Sequence, residues 1–290
     1  MNPQMAVPST LIGQHLPQHA AAVPRLSRQE VVPLARVELE RFLALAATLT
    51  TDDLRQPTDC ALWSVKDIIA HQASHVLALT RLGEFMDQFN PLNFRDYSAR
   101  RLNSLDAANQ RQVDRRADWS LIQLIAEMRD NREQSLAGRQ RFPLPARWIR
   151  LGAPGFDGKF SLGELIDSIF TRDMWMHRVD ICMATGRDMT LTAEHDGRIV
   201  ALVMRDLDRR LSVKLDGHST LYRLTGRAGG EWLVGGDAPA GAALTFDALQ
   251  FNRLASGRIT SQQALEQGLV KVEGDADLAR RALDNTMVLY

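Results

Sequence analysis

The sequence predicts an α+β protein: a four-helix bundle over residues 27–189, followed by a smaller α+β domain over residues 190–290. Three observations carry that expectation. Before Gly186 apolar residues recur at helical spacing in long stretches, after it short alternating runs broken by glycine take over, and the four strongest helical stretches are linked by one long polar connection and one irregular crossing. A chain of 290 residues has ample length to bury two cores.

Residues 1–26 carry scattered Pro, Gln and His without periodicity and are expected to form a disordered arm. His15 and His19 stand four apart there, an incidental pair on a Pro-flanked segment. The arm lacks the basic start and apolar run of a signal peptide, and nowhere does the chain offer the ~18 apolar residues that span a bilayer. A soluble, cytoplasmic protein is expected. Its 35 acidic and 35 basic residues cancel, so no broad field draws it to nucleic acid or to an anionic membrane. Cys60 and Cys182 are the only cysteines, too few for a disulfide scaffold and suited to a reducing compartment.

From Ser27 to about Leu49 the pattern is helical, with Val31, Leu34, Phe42, Leu45 and Leu49 on one face and Glu38 interrupting the stripe. A loop follows, closed by Trp63. Ser64 with Asp67 is a capping pattern, and the second helix runs through Val65, Ile68, Ile69, Val76, Leu79, Leu82 and Phe89 to Asn90-Pro91. His71 lies toward one flank of its apolar arc and His75 nearer the middle. Pro91 to about Ala117 is polar and reads as a partly helical connection over the surface. The third helix spans Ser120 to about Gly138, and the Pro- and Gly-rich segment 143–158 crosses irregularly to the fourth.

The fourth helix, Phe160 to Gly186, is the stretch around which the chain is organised. Ser161 and Glu164 cap its start and Gly186 supplies a left-handed stop. At about 100° per residue, Asp173, His177 and Asp180 fall inside its apolar arc and should point into the core. Carboxylates there are costly unless paired, hydrogen-bonded or bound to a metal. Asp173 and His177 are four apart, so both can reach one cation. They can equally form a buried network in which Asp173 orients an imidazole. Asp180 can orient His177 or close a buried salt bridge.

After Gly186, Thr192 to about Leu211 is an amphipathic helix, and Thr220–Leu224, Glu231–Val234 and Ala243–Phe246 read as strands. Gly226, Gly229-Gly230 and Gly235-Gly236 are expected to mark hairpins, with helices near Asp247–Ala255 and Asp275–Leu283.

The segment Cys60-Ala61-Leu62-Trp63-Ser64-Val65-Lys66-Asp67-Ile68-Ile69-Ala70-His71, together with Arg172-Asp173-Met174-Trp175-Met176-His177-Arg178-Val179-Asp180, resembles the mycothiol-dependent maleylpyruvate isomerase family. That family is a branch of the DinB-like metal-binding four-helix bundles. Leu254-Ala255-Ser256-Gly257-Arg258 and Val272-Glu273-Gly274-Asp275 resemble its C-terminal sterol-carrier-protein-like domain. The resemblance implies a divalent metal, zinc, held by His71, Asp173 and His177, where the isomerase pattern has glutamate at the position of Asp173. It also implies a low-molecular-weight thiol such as mycothiol, made nucleophilic at the metal, and Arg258 as the arginine that meets an acidic substrate.

His75 is the rival ligand, or else a hydrogen-bonded core histidine. Trp63 and Trp175 read as core or pocket wall, and Cys60 and Cys182 as packed residues rather than nucleophiles. Two functions stay open. One is a thiol-dependent isomerase or transferase acting on a small electrophile; the other is a non-enzymatic protein with a structural metal and an apolar ligand in its second domain. The sequence does not speak to oligomeric state.

Overall fold

The computed structural model describes residues 17–154 and 156–290. Helix α1 (Arg28–Ala46) opens on a reciprocal cap in which Ser27 Oγ accepts from the Glu30 N–H and the Glu30 carboxylate accepts from the Ser27 N–H. The same device starts α2 (Val65–Ala78), through Ser64 and Asp67. The second helix, expected to continue to Phe89, is broken. Thr80 bonds back to the Leu77 carbonyl through both its N–H and its hydroxyl, which ends α2. A separate α3 (Leu82–Phe89) then folds against it, with Gln88 bonded to the Ser74 hydroxyl and carbonyl.

The connection expected on the surface holds α4 (Ser104–Asp114), which buries Ala107, Ala108, Gln112 and Val113. Helix α5 (Leu121–Arg141) runs past Gly138 because that glycine is a point of contact rather than a stop. A Cβ there would lie 1.7 Å from the Leu79 carbonyl oxygen. After the short α6 (Leu144–Arg147), the irregular crossing contains an antiparallel hairpin, β2 (Arg150–Ala153) with β3 (Phe156–Ser161).

Ser161 and Glu164 cap the fourth helix as expected. It starts as α7 (Leu162–Glu164), widens into one π turn over Leu165–Ile169, and continues as α8 (Phe170–Thr185) to Gly186 at φ 65°. Helices α1, α2, α5 and α8 form the bundle, around Phe42, Ile68, Ile69, Leu124, Met128 and Met174.

Helix α9 (Arg198–Lys214) begins the second part and packs on a five-stranded sheet of order β1-β5-β4-β6-β7. Its strands are β1 (Gln18–His19), β4 (Ser219–Thr225), β5 (Gly230–Gly235), β6 (Ala240–Asp247) and β7 (Val270–Gly274). The turn after β4 is a hairpin, but Gly235-Gly236 is not. There the chain crosses over, so that β6 pairs with β4 in parallel. Helices α10 (Ala248–Ala255), α11 (Ser261–Glu266) and α12 (Ala276–Asp284) complete this part. Among the described residues no helix is long and apolar enough to cross a membrane.

Two expectations change. Residues 17–26 of the predicted arm are fixed: β1 adds to the edge of β5, while Ala20 and Val23 are buried in the core beside α9. His15 lies outside the described residues. The second part is also not sealed from the bundle, because Leu34, Trp175, Met176 and Val179 share one apolar core with α9 and the sheet.

Candidate metal centre

Helix α2 supplies His71, His75 and Gln72 to one point in the bundle, and α8 supplies Asp173, His177 and Asp180. His71 Nε2 lies 3.4 Å from Asp173 Oδ2, and His177 Nε2 lies 3.4 Å from Asp173 Oδ1. Both imidazoles are nearly inaccessible to solvent.

Which nitrogen carries the proton follows from the partners. His71 Nδ1 is 2.8 Å from Gln112 Oε1, and the Gln112 amide nitrogen donates onward to Gln88, so the His71 Nδ1–H donates to the oxygen. His177 Nδ1 is 2.8 Å from Asp180 Oδ2 and likewise donates. The two Nε2 lone pairs therefore face a carboxylate. Lone pairs so placed repel unless a cation lies between them. A metal about 2.1 Å from each donor of a tetrahedral set holds the donors about 3.4 Å apart, and each imidazole stands at that distance from one of the two Asp173 oxygens. The donor atoms of His71, His75 and Asp173 lie within 4.8 Å of one another, and so do those of Cys60, His177 and Asp180, so Asp173 and His177 fall into neighbouring groups of candidate ligands.

Without a metal, a proton on His177 takes that role on one side of Asp173. His177 is held well above its ordinary pKa because the Asp173 charge, aided by hydrogen bonds to Asp173 and Asp180, outweighs burial. Burial pushes His71 down to about 3, with His75 beside it adding to the effect. Asp173 stays well below the usual carboxylate range, its burial outweighed by His177.

His75, the rival ligand, stands as near to Asp173 as His71 and His177 do. Its Nδ1 is 3.2 Å from Asp173 Oδ2 but makes no hydrogen bond, and its ring stacks on Phe170 at 4.6 Å. Gln72 Nε2 donates to Asp173 Oδ2 at 2.5 Å.

Arg258 reaches the site from the second part of the chain, although not with an open fork. Its Nε and Nη2 donate to Asp180 Oδ1 and Oδ2 at 3.0 and 2.8 Å. Asp180 is fully buried, and Arg258, ahead of His177, outweighs that burial and keeps it ionised. Cys60 is no mere packing residue. It is half-buried, with Sγ 3.4 Å from Arg258 Nη2 and 3.5 Å from Asp180 Oδ2. Cys182 is packed as expected, its thiol pushed up by burial. Trp63 covers His71 and His177 at ring separations of 4.7 and 5.8 Å, whereas Trp175 belongs to the core.

A cavity of about 410 Å³ opens on these groups, lined by Trp63, His71, Asp173, His177, Arg258 and Tyr290 among others. Gln112, Gln72 and Gln110, which fix the ligands and Trp63, carry no local signal in the sequence. They lie on helices as ordinary polar residues.

Residues 35–182, more than half of the chain, match the family described as the mycothiol maleylpyruvate isomerase N-terminal domain. The chain belongs to this family. Residues 187–283 match the SCP-2 sterol transfer family, and the order of the two matches is the order expected from the resemblance. The crystal structure of a mycothiol-dependent maleylpyruvate isomerase is similar at a TM-score of 0.54 and 13% identity, over 87% of this chain and 95% of that one. Its histidine-to-alanine mutant gives 0.52 with the same identity and coverage. At that identity the likeness speaks for the fold. No curated protein matches the sequence.

Proposed function

We propose that this chain binds one divalent transition metal, zinc, through His71, Asp173 and His177. We propose further that it uses the metal in an isomerisation or thiol transfer on a small electrophile, with a low-molecular-weight thiol such as mycothiol as cofactor. The observation that carries the reading is one carboxylate whose two oxygens each face an imidazole lone pair at the wall of a cavity. Family membership and the likeness to a mycothiol-dependent maleylpyruvate isomerase support the thiol and the reaction class.

A divalent metal held there supplies a Lewis acid beside which a thiol loses its proton near neutral pH. Every other task falls to the chain. Gln112 and Asp180 keep the protons on Nδ1, so that His71 and His177 offer Nε2. Arg258 positions Asp180, and through it His177. Its Nη1, bonded at 3.4 Å to the Ser256 carbonyl, stays within reach of an oxygen on the electrophile. Trp63 covers the histidines on the cavity side and limits the water around them. Low-molecular-weight thiols stay reduced in the cytoplasm, which is where we place the reaction.

Elemental analysis of the purified protein tests the centre. About one zinc per chain is expected in the wild type and in His75→Ala, and little in His177→Ala. Unchanged metal in His177→Ala sinks the assignment. Loss of metal in His75→Ala instead would make the site a closed four-ligand one, and would favour the alternative of a binding protein with a structural metal.

A further inference from the structure

The cavity at the metal cluster has a second lobe of different chemistry. It measures about 260 Å³ and is walled by Phe89, Phe94, Phe160, Phe170, Leu105 and Leu165. It is built by the end of α3 and the chain after it, by α4, by the β2–β3 hairpin, and by the π turn and the start of α8. Asp173, Asn109, Leu105 and Tyr290 border both lobes, so the metal cluster stands where the two meet.

Their linings divide by polarity. Asp106, Asn109, Gln110, Ser256 and Arg258 line the first lobe. Among the described residues lining the second there is no lysine or arginine, and its titratable groups are His75, Asp173 and Tyr290. Phe89 and Phe170 lie nearly parallel there, with ring centres 6.1 Å apart. An apolar cavity of about 150 Å³ already accepts a benzene molecule. The larger lobe therefore has room for a fused pair of rings or a comparable alkyl group.

We propose that the second lobe is the subsite for an apolar, aryl-sized group on the electrophile. The substrate class is then an aryl- or alkyl-substituted enone or unsaturated oxo compound rather than a compact dicarboxylic acid. This rests on the proposed thiol chemistry at the metal and adds the identity of the acceptor. Low-molecular-weight thiols are polar, so the first lobe takes the thiol and leaves the apolar lobe to the electrophile. Arg258, the one arginine or lysine among the described residues lining the first lobe, serves one oxo or carboxylate oxygen; a dicarboxylic acid asks for two such groups. The addition balances without a further reagent: a C–S bond forms, the C=C π bond is consumed, and the thiol proton goes to the neighbouring carbon. Reversal after rotation about the resulting single bond completes an isomerisation.

The test uses the full chain in its metal-loaded form and the neutral naphthyl ketone 6-propionyl-2-(dimethylamino)naphthalene as fluorescent probe. One saturable site is expected, competed by 4-phenyl-3-buten-2-one and not by fumarate. Ala108→Phe, which fills the lobe from α4, should weaken the probe at least tenfold; Ala153→Phe, on the hairpin, does the same if the first variant fails to fold. Removing the metal with a chelator should leave probe affinity within twofold. No saturable binding to the folded protein, or binding that both filled variants leave within twofold, overturns the subsite. Because probe affinity and metal content are read separately, a protein that binds the probe but holds no zinc sinks the metal reading alone, and one with zinc but no probe site sinks this inference alone.

Discussion

At the scale of single residues, the proposed ligands are only as good as the groups that orient them. Gln112 and Asp180 each hold one imidazole by its Nδ1–H, and such partners typically contribute 10–100-fold to metal affinity. Gln112→Leu and Asp180→Asn should therefore each weaken zinc by that order in a competition assay with a chelating dye. Affinities within twofold of wild type would mean that the histidines adopt their tautomers unaided. Cys60 poses a separate question, since it lies at the cavity wall against Arg258. If the nucleophile comes from the thiol cofactor, Cys60→Ala and Cys182→Ala keep thiol-dependent turnover while Asp173→Ala loses it. Turnover in a thiol-free preparation that disappears in Cys60→Ala would assign the attacking sulfur to the protein.

The sequence made Asp173, His177 and Asp180 legible because helical spacing puts them on a buried face, where a charge needs a reason. Gln112 was invisible for the opposite reason: it lies in a polar stretch, and its partner is 41 residues away. Arg258 was found through the resemblance, but its engagement with Asp180, 78 residues distant, is a tertiary contact that no local pattern encodes.

At the scale of elements, the capping patterns read at Ser64 and Ser161 close as boxes with the residue three positions on, and Ser27 and Ser120, expected only as helix starts, close boxes as well. Interruptions were not readable. The π turn at Leu165–Ile169 leaves the apolar pattern intact while shifting the helical phase just before Asp173, and a 100° projection assumes it away. Gly138 looked like a helix stop and is a contact between α5 and the Leu79 carbonyl. Gly138→Ala forces backbone against backbone and should cost about 1–3 kcal/mol, seen as a lower urea midpoint at unchanged slope. Gly83, in the short exposed α3, meets nothing within 4 Å of its added Cβ, so Gly83→Ala should be neutral or stabilising by up to ~1 kcal/mol. A Gly138→Ala variant that gains stability as Gly83→Ala does would show that helix propensity outweighs the close approach at Gly138.

At the scale of the molecule, the junction of bundle and sheet decides whether Arg258 can reach the site at all. The change of periodicity after Gly186 correctly announced a second architecture, but periodicity describes elements and not the seam between them. That seam has a charge network buried except at Arg41: Arg178 donates to Glu38 at 2.9 Å and to Asp196 at 2.8 Å, while the partly exposed Arg41 donates to Asp196 at 2.5 Å. Trp175 adds its indole N–H to Asp196, and His195 lies 2.7 Å from Glu38. Glu38, the charge that interrupted the first apolar stripe, is one corner of it. Removing one partner of such a network leaves another charge buried alone, so Arg178→Met should cost about 3–5 kcal/mol. The same seam sets the response to acid. Burial raises the pKa of Asp196, but the Thr192 backbone N–H, Trp175 and Arg178 outweigh it and hold the group below the ordinary carboxylate value. A depressed pKa in the folded state gives stability that is fully present above the unfolded value of about 3.9 and is lost as pH falls through the folded one. Wild type should therefore lose stability on acidification below about pH 4 more steeply than Asp196→Asn, which starts lower and has no carboxylate there to titrate. Urea midpoints measured at steps from about pH 6 to pH 3 read this directly, and parallel curves for the two proteins would mean that Asp196 is not the group through which acid opens the junction.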